Sequence, residues 1–216
     1  MPDKLEKQAS LFNDQKIGLV YSAISLHFIE ANISYNTIPK KRGLIYKDML
    51  IKNYIGGTVS VIVRRDALFK ISQDSWFDPI FPAREEYDLW IRICAKWYVN
   101  YIDEPLVIAF YRNNLKRISN DINNYEKAIK YLNRKYKSTI DKYLSKKEKQ
   151  IRISQQMFFL ASQSIKLGNN RLARQYFWKS FLIKRNTMAL FSFCLCLLGV
   201  DAVLKARSIF KSKVLR

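Results

Sequence analysis

The sequence is poor in the residues that build covalent or metal frameworks. It has one histidine, His27, and three cysteines, Cys94, Cys194 and Cys196, none of them in a CxxC pair. That argues against a disulfide scaffold and against a structural zinc site. Only 6 Gly and 5 Pro occur in 216 residues, and 49% of the residues are hydrophobic, which excludes a collagen-like, low-complexity or disordered chain. No apolar run reaches the roughly 20 residues that cross a bilayer core. The uncharged stretch from Asn186 to Val200 falls short of it and ends against Asp201, a residue costly at depth, so it reads as interfacial or packed. No apolar segment follows the basic residue of Met1-Pro2-Asp3-Lys4-Leu5-Glu6, so no signal peptide is expected and the chain is expected in a reducing cytoplasm.

Acidic residues are scarce too, and unevenly so. The whole chain carries 38 Lys+Arg against 18 Asp+Glu, a formal net charge of +20. Residues 111–216 hold 24 of the bases and 5 of the acids, so residues 1–110 are almost neutral. A near-neutral first half suits a compact domain with a site. A second half this positive attracts a polyanion, whether an anionic membrane, a nucleic acid or an acidic partner.

Hydrophobic periodicity divides the chain at the same place. Leu5 to Phe12 predicts a short helix, Ile17 to Ser22 a strand, and His27 to Ser34 a second strand. Pro39 to Gly43 is a polar loop, Asp48 to Asn53 a short helix, and Thr58 to Val63 a β-branched run expected to be a buried strand after Gly56-Gly57. Arg64 to Lys70 reads as a helix start. A turn-rich connection through Trp76 and Pro82 leads into a helix from Arg84 to about Trp97, followed by strands at Val99–Ile102 and Leu106–Tyr111. From Ile122 the period becomes helical and stays so, placing a boundary near Asn120 between domains 1–119 and 120–216. Ala161, Gly168, Ala173, Phe177 and Ser180 fall at the offsets of one tetratricopeptide-type helical hairpin, which two packed amphipathic helices would equally produce.

The helix from Arg84 carries three carboxylates on two faces. Glu85, Asp88, Arg92 and Lys96 share one face at steps of three and four, where charges pair in solvent, and read as surface residues. Glu86 shares its stripe with Trp90, Ile93 and Trp97 and is therefore aimed at the apolar side. Two readings fit it. Partial burial raises a carboxylate pKa toward that of a working general base, and a first-turn acid also complements the helix dipole.

Ile17-Gly18-Leu19-Val20-Tyr21-Ser22, the segment Tyr54 to Leu68 around Gly56-Gly57, Glu85-Glu86-Tyr87-Asp88-Leu89-Trp90-Ile91-Arg92-Ile93, and Tyr101 to Val107 occur in an order and spacing that resembles a family 2 glycosyltransferase. The resemblance covers residues 1 to about 119, as the second half of a GT-A catalytic domain. It implies a partial Rossmann-like α/β domain followed by an all-α basic tail. It also implies an inverting transfer of a sugar from a nucleotide-sugar to a hydroxyl acceptor, with the second acid of the pair, Glu86, as catalytic base. Gly56, Gly57, Glu85, Asp88 and Trp90 would line the acceptor side, in surface-polysaccharide synthesis.

The sequence departs from the family in three ways. The second acid is Glu where Asp is usual, and Asn114 stands where many relatives carry His. No Gly-rich phosphate loop and no Asp-x-Asp occurs, although the family uses a divalent metal, Mg or Mn, to hold the donor diphosphate. The expectation is a chain that lacks the donor-binding half and is inactive alone, being a truncated or misstarted enzyme or one part of a split enzyme with an upstream partner chain.

For the basic tail, the Asn186–Val200 segment beside Lys205, Arg207, Lys211 and Lys213 favours an anionic membrane surface, with the protein peripheral on the inner face of the cell membrane. Nucleic acid is the rival partner. Tyr131, Tyr136 and Tyr143 could stack on bases, but the chain has no helix-turn-helix, RRM-like or zinc-finger signature. A noncatalytic helical module that binds membrane, nucleic acid or a partner chain is the alternative function.

Overall fold

The computed structural model describes residues 1–73, 75–112 and 121–214. The fold class is the one the sequence implies, an α/β part followed by an all-α part. The chain divides into two compact units, Met1–His27 with Ser34–Phe110, and Phe28–Ile33 with Tyr111–Arg216. Asn120, where the sequence pattern changes, and Asn114 lie outside the described residues.

The α/β unit is organised by one long strand, β1 (Ile17–Phe28), with which β2 (Ile33–Asn36), β3 (Val61–Val63) and β4 (Tyr98–Tyr111) all pair. The first seven residues of β1 are buried in succession, as a strand covered on both faces must be. β3 runs antiparallel to it with Leu19 opposite Val63 and Tyr21 opposite Val61. Gly18 is required where it stands, because a Cβ there would lie 2.6 Å from the Trp97 side chain that crosses it. Gln8, fully buried on α1 (Lys4–Ala9), donates to the carbonyls of Val20 and Ser60 and so pins that short helix against the sheet.

Three elements differ from the sequence expectation. The strand predicted over His27–Ser34 is instead the end of β1, a turn with Asn32 at φ 48°, and the start of β2. Thr58–Ser60 forms a 3-10 turn, since the Ser60 amide and hydroxyl both turn back onto the Gly57 carbonyl, and the strand is confined to Val61–Val63, half-buried rather than buried. The two strands predicted around Asp103 are one, with Pro105 inside it beside the exposed Asp103 and Glu104. A residue without an N–H is tolerated where the ladder has an open side.

The helical unit follows from its caps. Asp121, Ser145, Asn169 and Asn186 each accept a backbone N–H at the start of α5 (Ile122–Lys135), α7 (Lys146–Lys166), α8 (Asn170–Lys184) and α9 (Thr187–Leu195), with Glu148 completing a capping box on α7. The remaining helices are α6 (Lys137–Tyr143) and α10 (Val200–Val214). The helical hairpin is present: α7 and α8 are joined at Gly168, whose φ of 71° a side chain would strain. Ala161, Ala173, Phe177 and Ser180 are fully buried in this unit. Ser154 and Ser180 exchange hydroxyl-to-carbonyl hydrogen bonds of 2.9 and 2.8 Å, so the small residues bring the two backbones close and satisfy them there.

Candidate active site

The site is built on α4 (Glu85–Cys94) of the α/β unit. Pro82 precedes it, and Arg84 enters it in the left-handed region at φ 64° and ψ 24°, a conformation that costs free energy for any residue but glycine. Tyr87, Leu89, Trp90, Ile91, Ile93 and Cys94 are all buried, so the helix is enclosed on most of its circumference. Tyr87 donates its hydroxyl to the Met49 carbonyl and anchors α4 to α2 (Tyr46–Ile51).

Glu86 lies half-buried in the first turn, on the stripe that leads down to Trp90, Ile93 and Trp97. Burial pushes its carboxyl up to about 7; its own backbone amide and the charge of Arg84 oppose that push, and Glu85 adds to it. A carboxylate so placed exchanges a proton near neutrality, which is what a general base at ordinary pH requires. Glu85 is exposed, as expected.

Asp88 is not a surface residue. It is fully buried, and its Oδ2 accepts from Arg92 Nε at 2.9 Å one turn along the helix. The helical wheel places the pair correctly, but the turn-rich segment before α4 folds over that face. Arg92 also donates to the Trp76 carbonyl, and Phe81 and Ala83 are buried. Asp88 therefore has no open side toward an acceptor, and its role is to hold Arg92 and the segment Arg92 binds.

Trp90 and the glycine loop, far apart in sequence, are brought together. The Trp90 indole donates to the Gly56 carbonyl at 2.9 Å. The same carbonyl receives Asn53 Nδ2 at 3.4 Å, while Asn53 Oδ1 accepts the amides of Ile55 and Gly56 at 3.1 and 3.0 Å. Gly56 sits at φ 92° with open space where a side chain would be, and Gly57 also borders open space. This rigid, bare loop is fixed to the helix that carries Glu86. Trp90 itself is buried, so it shapes the loop rather than offering a ring face.

Sequence reasoning missed Asn53 and Arg84. An Asn three residues before a glycine is a legible turn signal. Nothing in the sequence marks an arginine for a left-handed backbone. Among the described residues no group of His, Cys, Asp and Glu is arranged to hold a metal ion, so the residues present do not fit the divalent cation that the family resemblance implies.

No protein-family model matches the chain. Over 145 residues, 65% of its length, it is 24% identical to an uncharacterized glycosyltransferase of Haemophilus influenzae. The match covers 48% of that relative, so the chain spans about half the length of the curated protein it resembles.

Proposed function

We propose that the α/β unit contributes the acceptor side of a glycosyltransferase, with Glu86 as the base. The observation that carries this reading is the placement of Glu86: a carboxyl raised to about 7 in the first turn of an enclosed helix whose Trp90 is bonded to the bare Gly56-Gly57 loop. The distant likeness to a protein named a glycosyltransferase supports the same class. The acceptor hydroxyl loses its proton to a Glu86 carboxylate oxygen as that hydroxyl oxygen bonds to the anomeric carbon. The bond from that carbon to the diphosphate breaks on the opposite face, its electron pair leaves with the nucleoside diphosphate, and the configuration inverts. Glu85 and the Gly56-Gly57 loop border the space for the acceptor, and the Asp88–Arg92 pair holds the helix and its covering segment in place. The acceptor is a saccharide hydroxyl of a growing surface polysaccharide, and the donor is a nucleotide-sugar.

No step is assigned to a metal. The test is nucleoside diphosphate release from a panel of nucleotide-sugars in the presence of saccharide acceptors, with a donor-binding half supplied in cis or as a second chain, comparing the unaltered protein with Glu86→Gln. Loss of general-base catalysis lowers the rate by roughly 10²- to 10⁴-fold. An unchanged rate in that variant defeats the assignment.

A further inference from the structure

The helical unit carries a surface that the α/β chemistry does not use. Between Glu148 and Asp201 the chain has eight Lys and Arg and no acid at all. Within that interval α9 and the short 3-10 turn after it are apolar on every side, a pattern that belongs in a core or in lipid. Only one side of them is in the core, at Ala189, Ser192 and Cys196; on the other, Phe191 is 54% exposed, Leu197 62% and Leu198 78%. A shallow groove of about 340 Å³ opens on the same unit, lined by Arg171, Arg174, Gln175, Trp178 and Phe193. Trp178 is 41% exposed and packs its ring 5.3 Å from that of Phe193.

We infer that this face docks on an anionic lipid bilayer, with the α9 apolar residues entering the headgroup boundary and Arg171 and Arg174 meeting lipid phosphates in the groove. Charge decides the occupant. A surface of exposed leucine and phenylalanine, flanked by guanidinium groups and drawn from an interval of the chain without acids, complements a sheet of anionic headgroups over acyl chains, and a half-exposed tryptophan suits the interface between them. Among the described residues no helix is long and apolar enough to cross a membrane, so the contact is peripheral. This docking does not depend on the role of Glu86.

The test is cosedimentation of the full chain with phosphatidylcholine vesicles, with and without phosphatidylglycerol, as salt is raised from about 0.1 M to about 1 M. Binding to the phosphatidylglycerol vesicles alone is expected, most of it lost in high salt and a remnant kept. Leu197→Glu with Leu198→Glu should remove the remnant. Arg171→Gln and Arg174→Gln should each weaken low-salt binding by about 5-fold. All four positions are solvent-facing or line an open groove, and circular dichroism checks that the variants fold. Tryptophan emission of the unaltered chain should shift to the blue on binding, and Trp178→Phe should abolish the shift. No binding to phosphatidylglycerol vesicles, or equal binding to neutral ones, overturns the inference. So does a concentration-dependent dimer in sedimentation that the leucine variants dissolve, since a second copy would then be the occupant. Tight RNA binding without vesicle binding overturns it as well.

Discussion

Trp90 donates its indole N–H to the Gly56 carbonyl across 2.9 Å, a bond between residues 34 apart in the chain that joins the enclosed side of α4 to the loop before β3. The loop keeps its open, side-chain-free surface because Asn53 satisfies its amides and Trp90 its carbonyl. Replacing the tryptophan leaves that carbonyl with only the 3.4 Å contact from Asn53. Trp90→Phe should lower unfolding free energy by about 1–3 kcal/mol in denaturant titration, through one stranded acceptor and a smaller ring. It should also weaken acceptor binding more than it changes the pH dependence of the rate.

Glu86 makes stability depend on pH with a definite sign. Its folded-state pKa of about 7 lies above the ordinary 4.5, so between those values the folded protein holds more protons than the unfolded chain. Stability should therefore fall as pH rises through this window. Glu86→Gln should remove that slope and stabilise the protein at pH 8 by about 1–3 kcal/mol. Thermal melts of both proteins from pH 4 to 8 would show it. Parallel curves would mean that Glu86 titrates as an ordinary carboxylate.

The Asp88–Arg92 pair nearby should behave oppositely. Asp88→Ala removes the carboxylate from a half-buried Arg92 and leaves a small void in the core, at a cost of about 1–3 kcal/mol. Because Asp88 has no open face, the variant should lose stability while the surviving folded fraction keeps, in the complemented transferase assay, the pH profile of the unaltered protein. Measuring the rate against pH at low temperature separates the two effects.

Much of this was legible in the sequence, for physical reasons that differ from one residue to the next. Glu86 could be singled out because helical periodicity alone puts it on the stripe of Trp90 and Trp97. The α7–α8 hairpin could be read because Ala161, Ala173 and Ser180 are small at the spacing where helices touch. Asp88 reads as exposed on the helical wheel yet is buried, because the segment before α4, whose Trp76 carbonyl accepts from Arg92, reaches that face by a tertiary contact that no periodic pattern announces. The Thr58–Ser60 run was misjudged because β-branched propensity lost to a local bond, Ser60 to Gly57. The tyrosines of the tail are mixed: Tyr136 is core, while Tyr143 is exposed.

The three thiols should separate cleanly. Cys94 and Cys196 are buried, and burial pushes the Cys94 thiol up to about 12 and that of Cys196 to about 11, whereas Cys194 is exposed. One cysteine per chain should react quickly with a thiol reagent at neutral pH, and Cys194→Ser should abolish it. Fast labelling of Cys94 would mean that α4 is not enclosed as described.

If Glu86 removes the acceptor proton, its titration must appear in the pH–rate profile of the transferase reaction. With the donor-binding half restored and the nucleotide-sugar that the panel identifies as donor, kcat/KM should rise with pH through an apparent pKa near 7. Glu86→Gln should flatten that limb and lower the plateau by roughly 10²- to 10⁴-fold, with Asp88→Asn leaving the limb in place. A Glu86→Gln protein that keeps both the rate and the rising limb, or an Asp88→Asn protein that alone loses the limb, would show that Glu86 is not the base.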